Sequence, residues 1–345
     1  MTLIKSISGI RGTIGNRKGD NLTPEDIVKF TAAYAIWVKR QANESSVKVV
    51  IGRDARPSGN MVYHIVSGTL VSMGIDLVNL DLATTPTVEM AVIAEGAQGG
   101  IILTASHNPV QWNALKLLNN RGEFLNNKEG DEILRIADQQ DIEYAPVDLL
   151  GKESRNNDYL DYHIRKILEL PQVNVDAISS GGYRIVVDGI NSVGGFAVPR
   201  LLKALNVKEV IEVNCNPDGH FAHNPEPIPE NLTGMREEIR KNGADLGFVV
   251  DPDVDRLAIV DENGEMFGEE YTLVAVADFI LQNKLGNTVS NLSSTKALRE
   301  LTGEYNGSYY PSAVGEVNVV EKMKEVDAVI GGEGNGGVIL PELHY

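Results

Sequence analysis

Residues 47–59 read VKVVIGRDARPSG: the apolar run Val47-Lys48-Val49-Val50-Ile51-Gly52, then the polar turn Arg53-Asp54-Ala55-Arg56-Pro57-Ser58-Gly59. A short β-branched run closed by a small-residue turn predicts a buried strand, and the stretch behind it, to about Met73, predicts a helix. Further strands are expected at Ile75–Leu80 and Gly100–Leu103, and a helix over Pro24–Arg40 with Trp37 in the core. The same succession returns in Tyr183–Gly189, the turn Asn191–Gly195, a helix through Leu205 and a strand at Glu209–Val213. It returns more weakly in strand Asn287–Leu292, a helix near Thr295–Thr302, strand Ser308–Tyr310, helix Glu316–Lys324 and strand Ala328–Ile330. Short apolar strands alternating with helices predict the α/β class. We expect three similar α/β/α domains with mixed, largely parallel sheets around a cleft. Seams at Gly151–Asp158 and just after Asp255 divide the chain into residues 1–150, 151–255 and 256–345.

The 345 residues, 42% hydrophobic and 23% charged, are ordinary globular material with room for two or three domains. No apolar run approaches the roughly 20 residues that span a bilayer. The start, MTLIKSISGIRG, has no long apolar segment of the secretory type, so a cytoplasmic protein is expected. The only cysteine is Cys215, which excludes a disulfide within the chain. Without secretion, the Asn-x-Ser/Thr sequons at Asn43, Asn231 and Asn306 carry no weight. A net charge of −17 opposes binding to nucleic acid or anionic membrane. A small anionic substrate needs only a few local cations, so the informative residues are Arg and Lys beside Gly-rich turns.

Asp251-Pro252-Asp253-Val254-Asp255-Arg256 lies between the apolar runs Leu246–Val250 and Leu257–Val260. In an extended segment residues i, i+2 and i+4 share a face, so the three carboxylates are expected to converge. Converging anions repel unless a cation sits between them, and an oxygen-only set suits Mg²⁺. An EF-hand is excluded, because Arg256 stands where that loop needs glycine and strands flank the segment. A solvated acidic turn is the plainer alternative. Arg256 is either an anion contact or a surface arginine. Asp261-Glu262-Asn263-Gly264 is expected to form a hairpin turn of type I′.

Residues 104–109, TASHNP, set Ser106 beside His107. No Gly-x-Ser-x-Gly elbow surrounds the serine, and in an extended chain His107 would point away from it. A helix cap at Ser106 is the structural alternative, although Pro109 falls at the third position after it. Lys116 follows ten residues on, and Ser8-Gly9-Ile10-Arg11-Gly12 frames an arginine between glycines. Together with a metal triplet, these cations suggest a phosphoryl-transfer site.

With these residues in view, the chain resembles the α-D-phosphohexomutases, the family of phosphoglucomutase, phosphomannomutase and phosphoglucosamine mutase. TASHNP matches the family's phosphoserine loop, DPDVDR its metal loop and SGIRG its N-terminal arginine loop. GGEGNGG stands where the family has its sugar-selecting loop. The resemblance covers essentially the whole chain, in the family's order. It implies that Ser106 carries phosphate as phosphoserine, and that Asp251, Asp253 and Asp255, with Ser106, bind one Mg²⁺ per chain. It further implies Lys116 as general acid/base, Arg11 and His107 assisting at the phosphate, and Arg256, Glu333 and Asn335 contacting the sugar phosphate. The implied reaction interconverts hexose 6-phosphate and hexose 1-phosphate through a sugar 1,6-bisphosphate, which is also the activator.

Two departures qualify the match. The family's fourth, phosphate-gripping domain has no counterpart, and the Gly-rich loop with its strand looks like a domain cut short, so weak turnover is expected from these residues. Asn335 and Gly337 replace Ser and His of many glucose- and mannose-phosphate enzymes, and with Val314–Asn318 this looks most like archaeal-type phosphoglucosamine mutase. Phosphoglucomutase/phosphomannomutase, or a sugar-phosphate-binding fragment without turnover, are the alternatives. His220 and His223 have metal-ligand spacing, but Pro217, Pro225, Pro227 and Pro229 exclude a helix, so a loop beside the cleft is expected. Arg53, Asp54 and Arg56 are read either as phosphate contacts or as an internal salt-bridged turn.

Overall fold

The computed structural model describes residues 2–6, 9–42, 46–139 and 142–345; Ser8 of the SGIRG stretch and Asn43 of one sequon lie outside them. The chain forms two compact units, Met1–His163 with Pro217–His220, and Ile164–Asn216 with Phe221–Tyr345.

The first unit runs β1 (Ile4–Ser6), β2 (Gly9–Thr13), α1 (Pro24–Gln41), β3 (Lys48–Arg53), α2 (Gly59–Ser72), β4 (Asp76–Leu82), α3 (Thr85–Ala94), β5 (Gly99–Leu103), β6 (Trp112–Leu118), α4 (Asn127–Ala137) and β7 (Glu153–Arg155). Among the described residues these strands make one seven-stranded sheet, β1-β2-β6-β5-β3-β4-β7. Its centre, β5-β3-β4, is parallel, and β6 runs antiparallel to both β5 and β2. The sheet is therefore mixed. Val49–Ile51 of β3 and the whole of β5 read as apolar runs because helices cover both faces. On one face Val49, Ile51, Ile101 and Leu103 pack with Phe30, Tyr34 and Trp37; on the other, Val50 and Ile102 pack with Val88 and Val92. Helix α1 starts at a capping box, in which Thr23 Oγ1 accepts from the Asp26 amide and the Asp26 carboxylate from the Thr23 amide. Such a cap stabilises a helix by about 1 kcal/mol. Trp37 is buried, as its place on α1 predicts.

The second unit continues through α5 (Tyr159–Leu168, whose first residues belong to the first unit), α6 (Val175–Gly181), β8 (Arg184–Asp188), α7 (Gly194–Ala204), β9 (Glu209–Val213), α8 (Thr233–Asn242), β10 (Leu246–Val250) and β11 (Leu257–Val260). Strands order as β11-β10-β8-β9, with only β11 antiparallel. Then follow α9 (Glu269–Asn283), β12 (Asn287–Asn291), α10 (Ala297–Glu304), β13 (Tyr309–Ser312), α11 (Glu316–Glu325), β14 (Ala328–Gly332) and β15 (Val338–Ile339). They form a further sheet, β13-β12-β14-β15, parallel except for β15.

Two local expectations change. A seam directly after Asp255 would cut the β10–β11 hairpin, whose register joins Val250 to Leu257; β11 stays with the second sheet because its apolar residues complete that core. The Asp261–Gly264 turn is present, closed by the Gly264 amide on the Asp261 carbonyl at 3.0 Å. Gly264 (φ 75) is left-handed and Asn263 is not, which excludes type I′ because that turn needs positive φ at both central residues. Among the described residues, no helix is long and apolar enough to cross a membrane.

Candidate active site

In the first unit the Ser106 loop leaves the end of β5 and returns as β6. Ser106 is not a helix cap: it sits in a turn with φ 49, the left-handed region that favours glycine. The turn also cancels the opposed directions expected of neighbours in an extended chain. Ser106 Oγ lies 3.4 Å from Nδ1 of His107.

Lys116 lies on β6 opposite Ile102, and Arg11 on β2 opposite Ala114. Paired residues, and residues two apart on a strand, share a face. Register thus puts Arg11 and Lys116 on one face, with Lys116 at the β5 edge from which the serine loop emerges. The Lys116 ammonium stands 5.4 Å from the centre of the Phe124 ring. Gly9 (φ 119) makes the close approach of β2 possible, since a Cβ there would lie 2.3 Å from the Leu115 carbonyl oxygen. The Arg11 Nε is shielded from solvent and has no hydrogen-bond partner among the described residues. Such a donor fits an anion oxygen.

The Arg53–Ser58 turn takes the second of its two readings. Arg56 is 1% exposed and Asp54 fully buried, and Arg56 Nε donates to Asp54 Oδ2 at 2.7 Å. Arg53 pairs with Asp81 at 2.7 Å.

In the second unit the acidic triplet converges, but not along an extended segment. Residues 251–255 turn: the Val254 amide donates to the Asp251 carbonyl at 3.2 Å, and Val254 has φ 63. Asp251 Oδ1 accepts from the amides of Asp255 and Arg256, both at 3.2 Å. The loop therefore folds around its first carboxylate. Carboxylate oxygens of Asp251, Asp253 and Asp255 lie within 4.8 Å of one another, and Asp251 and Asp253 are fully buried. Burial, and then the charges of Asp255 and Asp253, push the Asp251 carboxyl well above the usual range against the pull of Arg256. A buried group of like charges made only of oxygen donors fits a hard cation, and the site is compatible with metal binding.

Neighbouring residues hold this loop. Ser192 Oγ donates to the Pro252 carbonyl at 2.6 Å. The first glycine of α7, Gly194, allows the approach, since a Cβ there would lie 2.4 Å from Val250 Cγ2. On the next strand the buried Asp188 carboxylate accepts from Asn214 Nδ2 at 2.9 Å and lies 3.2 Å from Nε2 of His223. Burial lowers the His223 pKa, but the bond and charge of Asp188 outweigh it, so the net shift is upward. His223 thus pairs with a carboxylate from a loop.

The Gly-rich loop after β14 meets the metal loop's exit within this unit: the Leu257 amide donates to the Gly336 carbonyl at 3.2 Å. Glu333 Oε1 accepts from Asn291 Nδ2 at 2.6 Å and from the Gly315 amide at 3.0 Å, while Asn335 Nδ2 lies 3.4 Å from Oε2. Arg256, Glu333 and Asn335 are thereby drawn to one side of the second unit. Ser192, in the turn before α7, and Asn291, at the end of β12, were missed in the sequence; each is a small polar residue to which only long-range partners give a role.

The sequence matches the family described as phosphoglucomutase/phosphomannomutase, alpha/beta/alpha domain I over residues 3–143, domain II over 161–264 and domain III over 268–345. A phosphoglucomutase/phosphomannomutase of Thermococcus kodakarensis is 36% identical over 336 residues, covering 96% of this chain and 73% of the relative. A probable phosphoglucosamine mutase of Methanopyrus kandleri is 34% identical, over 98% of this chain and 71% of the relative. The crystal structure of a phosphoglucomutase/phosphomannomutase family protein from Burkholderia thailandensis superposes with a TM-score of 0.84 at 26% identity, covering 98% of this chain and 72% of that one. Fold and site define an α/β phosphoryl-transfer protein. The chain belongs to the α-D-phosphohexomutase family, whose members are intramolecular phosphotransferases.

Proposed function

We propose that the protein interconverts hexose 6-phosphate and hexose 1-phosphate, with glucosamine phosphate as its substrate, through a phosphoserine at Ser106 and a bisphosphorylated sugar that also serves as activator. The observation that carries this reading is the Ser106 loop: a serine in a left-handed turn, a His107 ring nitrogen 3.4 Å from its hydroxyl, and Lys116 on the adjoining strand. Phosphate monoesters are extremely inert, so positioning and charge neutralisation do most of the catalysis. Ser106 Oγ carries the phosphoryl group; as the sugar hydroxyl bonds to phosphorus the P–Oγ bond breaks, and Lys116, as its neutral amine, takes the hydroxyl proton. Arg11 and His107 hold phosphate oxygens, while Arg256, Glu333 and Asn335 receive the sugar phosphate and its hydroxyls. Asp251, Asp253 and Asp255 would hold Mg²⁺, with Ser106 as the further ligand the family resemblance implies, and the ion would supply charge neutralisation. In this reading the phosphoserine loop belongs to the first domain, the metal loop to a second that keeps β11, and the sugar loop to the residues after it, in a cytoplasmic enzyme.

The Glu333 carboxylate, oriented by Asn291 and Gly315, suits a cationic amino sugar. The name of the Methanopyrus relative supports the same choice. The Thermococcus relative favours a second reading, glucose and mannose phosphates. Comparing kcat/KM on glucosamine, glucose and mannose 6-phosphates with Mg²⁺ separates the two. The highest value on glucosamine 6-phosphate is expected; a higher value on either neutral sugar selects the second reading, and binding without turnover selects a sugar-phosphate-binding protein.

A further inference from the structure

We propose that the buried Asp54–Arg56 pair is a positioning device for Ser106, gripping the serine's peptide groups from both sides and holding its left-handed turn. This inference rests on the reading of Ser106 as the phosphate carrier. On the carbonyl side, Arg56 Nη2 donates to the Ser106 carbonyl. Arg56 Nη1 donates to the carbonyls of Pro109 at 2.9 Å and Trp112 at 3.0 Å, so one guanidinium spans the loop from the serine to the start of β6. On the amide side, the Ser106 N–H donates to Thr104 Oγ1 at 3.0 Å, and Thr104 Oγ1 donates to Asp54 Oδ2 at 2.7 Å. The same Asp54 oxygen receives Arg56 Nε at 2.7 Å, which closes the circuit, and Asp54 Oδ1 accepts the Arg56 amide at 3.0 Å.

The chemistry explains the choice of residues. A serine at φ 49 is off the conformations L-residues prefer, and such a residue persists only where its surroundings over-determine it. Arginine presents donors in a rigid plane that reach a carboxylate and several carbonyls at once, whereas lysine offers one compact ammonium. Asp54 neutralises the guanidinium, which permits its burial at 1% exposure. With all three nitrogens of Arg56 engaged by the protein, the pair serves the loop's shape, and the phosphate is left to other cations. Asp54 and Arg56 are thus positioning residues acting through Ser106.

The test uses the full chain with glucose 1,6-bisphosphate and Mg²⁺, following phosphate on Ser106 by intact mass against time. Hydrogen exchange of the ligand-free protein is measured in parallel. R56K is expected to fold, to take up phosphate about 100-fold more slowly, as about 1 Å of misplacement does, and to need an unchanged concentration for half-saturation. Its exchange should quicken over residues 104–112 and not elsewhere. T104V, which removes only the amide-side relay, should move rate and exchange in the same direction by about tenfold, the loss of one hydrogen bond. The inference is overturned if R56K keeps the wild-type rate, loses rate only through weaker half-saturation, or leaves exchange over 104–112 unchanged. Should R56K not fold, T104V decides: wild-type rate and exchange overturn the proposal. Wild-type protein that takes no phosphate at Ser106 sinks the functional reading instead, and the exchange comparison still decides whether the pair holds the loop.

Discussion

The Ser106 loop and the Asp251–Asp255 loop both follow buried strands, and each bends through a left-handed residue that is not glycine, Ser106 at φ 49 and Val254 at φ 63. They are held by opposite electrostatics. The serine loop is fastened by a buried pair of opposite charges, with every step of the circuit a hydrogen bond to protein. The acidic loop folds around its own Asp251 carboxylate and gathers three like charges within 4.8 Å. The first loop is thus held by a neutralised charge pair, while the second gathers like charges, an arrangement compatible with a bound cation.

The largest expected effect breaks the first loop's chemistry while sparing its frame. S106A should lower mutase turnover by roughly 10⁴-fold or more, as loss of a nucleophile does, with melting temperature nearly unchanged. Turnover within about tenfold of wild type, the scale of a single lost hydrogen bond, would contradict a phosphoserine route.

Next in size is the cation dependence of the second loop. Mg²⁺ at about 100 times its Kd should stabilise wild-type protein by about 2.7 kcal/mol, read as a rise in melting temperature. D253N should lose that rise, yet in the metal-free state be more stable than wild type by about 1 kcal/mol, because one buried like charge is removed. Equal Mg²⁺ responses in the two proteins would show that the triplet does not hold the ion.

Asp188 offers a carboxylate at the same end of the sheet whose partner is the protein's own His223, so the contrast with the triplet is sharpened by pH. Because the folded pKa of His223 is raised, its contribution is fully present below about pH 6.5, the ordinary histidine value. That contribution is lost as pH rises through the folded pKa. The stability difference between wild type and H223Q should therefore shrink from pH 6 to pH 8 in urea melts, and a difference that grows over that range would reverse the assignment.

The smallest effect concerns a neutral fastening of the acidic loop. S192A, which removes the bond to the Pro252 carbonyl, should cost about 1 kcal/mol of stability and weaken Mg²⁺ binding severalfold in a calorimetric titration. Unchanged Mg²⁺ affinity would confine Ser192 to a structural role.

Much of this was legible in the sequence because the strands feeding the site are short apolar runs ended by small polar turns. Val47–Gly52, Tyr183–Gly189 and Leu246–Val250 all became strands at the expected places. The convergence of the triplet was legible too, but for the wrong reason: side-chain alternation predicts it along a strand, whereas backbone bonds to Asp251 achieve it in a turn. The Ser106–His107 contact escaped for the same reason, since the left-handed φ that makes it cannot be read from residue type. Strand β7, Glu153-Ser154-Arg155, carries no apolar signal and exists because β4 offers it an edge. The role of Arg56 was out of reach, as its partners Ser106, Pro109 and Trp112 stand some 50 residues away in sequence.

The most direct test of the central claim is peptide mapping of the full chain after incubation with glucose 1,6-bisphosphate and Mg²⁺, followed by a chase with hexose 6-phosphate. The account predicts one phosphate on the Ser106 peptide, gained in the first step and lost to sugar in the second. Phosphate absent from Ser106, or present there and retained through the chase, would contradict it.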